Sequence, residues 1–417
     1  MRLERGRISS CQLLLLIWSF IEGSAPLIGF ITPIARQDAW LAVLAAAAVM
    51  APFMYLYALL ASKFAGLNLV QISHCVYGPV GGAMASILYI FCFFMTLSFN
   101  LRDLGVLYAT HFMLDTPQIV FVIIFTAACA GAVSGGIEIL AQLSLFFVLT
   151  TTSVVLGTSL LLVDNMDFSH FLPIFEVPTK DFIHSTHIMT VIPFAETLAF
   201  LMIAASVGDK RNITGTMMLA LLFGAASLLV VAVRNTAVLG SVQTIMESPA
   251  IEAARLIDVA KVLTRMDILI GIGQSVALFL KCSVLYYVAV LALAELLRLR
   301  TYLPLVIPFG MIVANLAHFV YPTEVDHLAT TVNTCVIFPV PILFVLPVLT
   351  LLVAKIRNLP LAGGKGPGPA ILRAKMRELR AVIRQARSAE CELRQGRDKL
   401  QQKGGAPVTG GKASHET

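Results

Sequence analysis

Three residues carry charge where a chain of this composition can least afford it. Glu22 sits in FIEGSAPLIGFITP (Phe20–Pro33), beside Gly23 and ahead of Pro26. Glu196 sits in MTVIPFAETLAFLMIAA, three residues after Pro193. Lys281 sits in ALFLKCSVLYY. Each lies in the middle of a long apolar run. Ionisable groups at that depth are costly and mark a site unless they only set helix packing. Two of the three adjoin a helix breaker. A break in hydrocarbon frees backbone groups, which is tolerated where they line a cavity and bind something. A half-helix beginning near Pro26 would turn its first N–H groups and positive end toward an anion such as a carboxylate. Gly23 permits close backbone approach there.

The surroundings are those of a membrane protein. The chain has 417 residues, 58% hydrophobic and 13% charged, with a mean hydropathy of +0.86. Soluble domains are nearer a quarter charged. Ten spans are expected, at about 11–35, 38–62, 80–111, 117–134, 137–163, 182–207, 213–241, 267–297, 302–321 and 332–355. Ala65–Tyr77 reads as a short amphipathic stretch, and Ser248–Met266 as an interfacial or capping helix. A cleaved signal peptide is the competing reading of the first run. Apolar sequence resuming at Leu27 speaks against it. An even number of spans puts both termini on one side, and ten Lys/Arg against five place that side in the cytoplasm.

The charge is uneven. From Leu361 onward there are 12 Lys/Arg against 5 Asp/Glu, leaving 18 and 19 for the rest. Four regions follow: a ten-helix membrane domain over 1–358, a flexible linker over 359–369, a basic amphipathic helix over 370–402, and a disordered tail over 403–417. No recognition motif supports a nucleic-acid partner. The seven cysteines are scattered, without metal spacing. His184 and His187 are three apart on a helix, but no third metal ligand is evident. No nucleophile elbow, phosphate loop or zinc signature appears, so the chain reads as a non-enzyme without a cofactor.

The breaks fall in the first and sixth spans, which open two halves of a five-plus-five arrangement. Inverted-repeat transporters put their midplane site at such breaks. In that arrangement the eighth span lies beside the first. Lys281 is therefore expected to contact Glu22 or the carbonyls freed at Gly23–Ala25, with a packing-only ion pair as the alternative. Arg102, Asp103, Glu138 and Arg234 lie nearer the interfaces, where snorkelling or local pairing explains them. Met95 and Phe99 in the third span, and Gly273 and Ala277 in the eighth, are expected to face the same cavity as the breaks.

ISSCQLLLLIWSFIEG (Ile8–Gly23), RQDAWLAVLAA (Arg36–Ala46), FLPIFE (Phe171–Glu176), PFAE (Pro193–Glu196) and RLIDVAKVLTRMD (Arg255–Asp267) together resemble the spore germination permeases. These are the B subunits of GerA-type germinant receptors, within the amino acid–polyamine–organocation superfamily. The resemblance covers about residues 8–358. It implies an all-α membrane fold of ten helices in a five-plus-five inverted-repeat, LeuT-like arrangement with broken helices 1 and 6. It implies partners, the A and C subunits, in the inner membrane of a spore, and a small nutrient such as an amino acid as ligand. Gly23 and its neighbours Ser24 and Ala25, Glu196, and Lys281 are the positions it assigns to the site; Phe194 and Thr197, beside Glu196 in the second break, are further candidates to contact the ligand. Glu22 departs from the apolar or small residue the resemblance leads one to expect. A proton-coupled amino-acid permease, with Glu22, Glu196 or Lys281 as the coupling group, is the alternative function.

Overall fold

A computed structural model describes residues 6–208, 212–257, 266–321 and 324–359. The linker, the basic helix and the tail expected beyond 359 lie outside the described residues, as does the stretch 258–265. The first of two compact units contains all that follows.

The described residues form helices: α1 Ser10–Glu22, α2 Leu27–Ala35, α3 Ala39–Lys63, α4 Leu69–His111, α5 Gln118–Ser134, α6 Gly136–Leu161, α7 Thr179–Met189, α8 Phe200–Ile203, α9 Ile213–Leu239, α10 Pro249–Arg255, α11 Asp267–Leu296, α12 Leu303–Phe319, α13 Glu324–Asn333 and α14 Leu346–Ile356. Among the described residues six helical stretches are long and apolar enough to cross a membrane, and four further apolar helices are shorter. Local chemistry sets several ends. Ser9 and Gln12 form a reciprocal capping box at the start of α1 (2.8 and 3.1 Å). Asn68 caps α4 through the Gln71 N–H (2.9 Å).

Proline and glycine place the interruptions. Gly78, at φ 83°, kinks α4 just before Pro79. The amphipathic stretch 65–77 is therefore the leading arm of α4. The last span begins later than expected. A turn follows α13, and a π-helical turn at Pro341–Val345 leads into α14. Pro339 and Pro341 lack the N–H groups that would carry a helix on from residue 332.

The stretch from α7 to Ser206 and helix α11 form the centre, with 89% and 83% of their most apolar stretches buried against 33% for α6. Around them α1 packs on α9, α6 and α11, and α3 packs on α9. The outward faces carry Leu44, Ile87, Ile123, Phe146, Leu222 and Ile307, all exposed. In lipid such faces cost nothing, and association rests on close packing by small residues. Gly224 shows this: a Cβ there would lie 2.7 Å from the Ile21 side chain. Backbone bonds between Ile8 and Ser206 (3.1 Å) and between Gly208 and Ile8 (3.0 Å) tie the two broken spans together at one end.

Candidate functional site

Both expected breaks are present, but neither is an open loop. Between α1 and α2 the N–H groups of Ser24, Ala25, Leu27, Ile28 and Gly29 donate to carbonyls three residues earlier, at 2.9–3.1 Å. The chain tightens into 3₁₀ turns around Pro26. The expectation of free N–H groups aimed at an anion is corrected here. In an apolar interior an unpaired N–H is expensive, and the tighter turn satisfies it locally. In the second break Pro193 cannot donate. Residues Thr190–Phe194 widen into a π turn and Ala195–Ala199 tighten into a 3₁₀ turn. That exchange turns Glu196 toward α11.

Lys281, 1% exposed, is held from both breaks. Its Nζ lies 2.8 Å from Glu196 Oε2 and donates to Ser24 Oγ at 2.7 Å. The Phe20 ring lies 5.5 Å away. One ammonium therefore ties the first broken span, the second and α11. Gly23 makes this possible, since a Cβ on it would stand 2.8 Å from Ala277 O and from Lys281 Cβ.

The anticipated Lys281–Glu22 contact is not made. Glu22 points to the other side of α1, where its carboxyl hydrogen-bonds with Thr151 Oγ1 (2.5 Å) and Thr152 Oγ1 (3.2 Å). The residues expected around a single cavity are likewise divided among three. The first, of about 50 Å³, is lined by Gly23, Ser24, Phe99, Glu196 and Lys281, with Phe30, Thr96, Asn100, Asp103, Leu278 and Cys335. The second, of about 40 Å³, is lined by Glu22, Ala25, Gly273 and Ala277, with Ser227, Arg234 and Gln274. Met95 faces a third, more open cavity of about 520 Å³, which shares Phe99, Cys335 and Phe338 with the first. Phe194 and Thr197 are wholly buried and line none of these cavities. The Thr197 hydroxyl instead donates to Phe194 O.

A vestibule of about 370 Å³ adjoins the first cavity and shares Pro26, Phe30, Asp103 and Leu278 with it. Asp103, read from the sequence as interfacial, stands at this partition 3.0 Å from His327 Nε2. The Phe30 ring packs edge-on against His327 at 5.8 Å. Thr96, Asn100 and Asp103 were legible as a group. They recur at helical spacing along one face of an apolar span. The other polar residues tie elements. His184 and His187 reach Val332 O (2.9 Å) and Val336 O (3.1 Å) rather than a shared metal position. Arg102 donates to Ala317 O and His318 O. Glu138 accepts from the Arg7 N–H.

A bundle with two interrupted spans meeting a third helix over a central cavity is the architecture of LeuT-like transporters, and solved structures agree. Mhp1, a nucleobase-cation-symport-1 family transporter in a closed conformation with bromovinylhydantoin bound, matches with TM-score 0.62 at 13% identity, over 85% of this chain and 82% of that one. MhsT in complex with L-phenylalanine matches with TM-score 0.60 at 12% identity, over 84% and 99%. A manganese transporter mutant of Eremococcus coleocola matches with TM-score 0.56 at 11% identity, over 92% and 95%. The chain is thus an all-α, multi-pass membrane protein of LeuT-like fold. Residues 7–327 match the family described as spore germination protein. Spore germination protein KB of Bacillus subtilis (strain 168) is 27% identical over 337 residues, covering 79% of this chain and 90% of that protein. The chain belongs to the spore germination permease family.

Proposed function

We propose that this protein is the membrane-embedded sensing subunit of a germinant receptor. It binds a small amino acid or similar solute in the cavity between the two breaks and α11. The observation that carries this reading is the Lys281–Glu196 pair, buried and lining that cavity with Ser24. A zwitterion matches the pair. Its carboxylate accepts from Lys281 and its ammonium donates to Glu196, so one ion pair becomes two and no net charge is buried. The cavity of about 50 Å³ must widen to admit such a solute, and the vestibule beyond Phe30 and Leu278 is the route in. Binding that separates Lys281 from Glu196 changes how both breaks are held against α11. A solute with higher affinity for the widened state shifts the bundle toward it. Partner A and C subunits read that movement, with both termini of this chain on the cytoplasmic (spore core) side.

The transporter-like fold favours a second reading, a proton-coupled amino-acid permease. MhsT holds an amino acid within the same fold. Protein in liposomes, given labelled small amino acids and sugars, separates the two. Saturable binding without accumulation supports the sensor. Accumulation that collapses with the proton gradient supports the permease. Absence of both signals, alone and with co-expressed A and C subunits, removes the solute-binding reading.

A further inference from the structure

The second cavity holds a carboxyl that the solute site does not use. Glu22 is 5% exposed. Among the described residues no Lys, Arg or His forms an ion pair with it. The side chains that hydrogen-bond to it are neutral. α6 presents Thr151 and Thr152. From α9 comes Ser227, which accepts from Trp18 Nε1 of α1 at 2.9 Å. α11 presents Gln274 and Ala277. Lys281 lies across Gly23, on the opposite face of α1. A buried carboxylate without a counter-charge costs several kcal/mol. A bound proton removes that cost.

The hydrogens count the same way. Thr151 has one hydroxyl hydrogen. Its oxygen lies 2.5 Å from Glu22 Oε2 and 2.9 Å from Phe147 O. When the hydroxyl turns back to Phe147 O, as helix threonines do, the hydrogen in the Glu22 contact must come from Glu22. A protonated carboxyl thus satisfies both groups. An ionised one takes the hydroxyl away from its helix.

The site also has a path to water. Its cavity, about 40 Å³, has room for about three waters. Gln274 lines both this cavity and the vestibule. Gln274 is 8% exposed, and among the described residues its Oε1 has no hydrogen-bond partner. This acceptor stands where the two spaces meet, placed to take a hydrogen from a passing water. Arg234 lines the same cavity seven residues along α9 from Ser227, about 10 Å by helical rise, bonded to Thr158 Oγ1 (2.8 Å) and Asn235 Oδ1 (3.0 Å).

We propose that Glu22 is a proton-binding site, separate from the Lys281–Glu196 cavity, loaded and unloaded from the vestibule past Gln274. On unloading, the proton passes from the Glu22 carboxyl to a cavity water and leaves as hydronium. The Thr151 hydroxyl then turns from Phe147 O to the carboxylate. Glu22 immediately precedes the break whose Ser24 holds Lys281. The proton therefore changes how firmly α6 grips the first broken span, whether or not a solute is bound.

Trp18 is a built-in reporter, because the chain has two tryptophans. Trp40→Phe leaves Trp18 alone. Its emission is followed against pH in liposomes without solute, alongside the infrared carboxylic-acid C=O band. The expected result is a one-proton curve and a band, both lost in Glu22→Gln and both retained in Glu176→Gln, which removes an exposed carboxyl that lines neither cavity. Glu22→Asp, which keeps a titrating group, restores a curve with a moved midpoint and covers the case in which Glu22→Gln fails to fold. Three results overturn the proposal: no pH response, the same curve and band in Glu22→Gln, or a response at fixed pH to sodium or potassium instead. None depends on the solute site being correct.

Discussion

Lys281 Nζ and Glu196 Oε2 meet at 2.8 Å in the middle of the bundle, and the same ammonium takes Ser24 Oγ at 2.7 Å. One cation thus closes a triangle between two interrupted spans and one continuous helix. A ligand that takes either end of the ion pair loosens all three sides. In the proposed reading, this geometry joins recognition to movement without a relay.

Removing one partner leaves the other charge buried. Lys281→Met is expected to destabilise the protein by about 3–5 kcal/mol. Lys281→Met combined with Glu196→Leu recovers most of that, because no orphan charge remains. Thermal unfolding of the single and double variants in detergent checks this. Equal losses in both would show that the pair adds no more than packing.

Gly23→Ala should separate the first broken span from α11. Its Cβ would meet Ala277 O and Lys281 Cβ at 2.8 Å, and overpacking of this kind costs about 1–3 kcal/mol. Gly157→Ala is the control, since nothing lies within 4 Å of that Cβ. It should match or slightly exceed the wild-type unfolding temperature, as alanine is the better helix former.

The depth of the charges was legible in the sequence, and their direction was not. Apolar runs and breakers give the level of Glu22, Glu196 and Lys281 along the membrane normal. They do not give the angle around each helix. Residues two apart on a helix point about 200° apart. Once Ser24 turns to Lys281, Glu22 must face away. The same rotation explains α11, where Leu278 and Lys281 face one cavity while Gly273 and Ala277 face the other. Asp103 was misread for a related reason. It lies toward the end of its span, but the vestibule reaches in to meet it. The 3₁₀ character of the first break was hidden too, because proline signals an interruption without saying how the neighbouring N–H groups are satisfied.

Phe30 divides the vestibule from the central cavity. Phe30→Ala should join them. In protein freed of its native cysteines, a thiol at Ser24→Cys is expected to react several-fold faster with a small water-soluble reagent when Phe30 is alanine. An unchanged rate would mean that the route in lies elsewhere.

Tyr57 ties α3 to the π turn of the last span, donating to Leu343 O at 2.6 Å from a wholly buried position. Tyr57→Phe strands that carbonyl and should cost about 1–3 kcal/mol. Tyr77→Phe, half-buried and paired with Thr350 at 2.9 Å, should cost less. Denaturation of both variants under one condition gives the order.

The central claim is that a small solute binds between Lys281 and Glu196. The most direct measurement is equilibrium binding of labelled small amino acids to the wild-type protein and to Glu196→Gln, in liposomes and at matched protein content. The account predicts saturable binding to the wild type, weakened at least about tenfold in Glu196→Gln. That corresponds to about 1.4 kcal/mol, the low end of a charge-assisted hydrogen bond. Binding of the same strength in both proteins would contradict it.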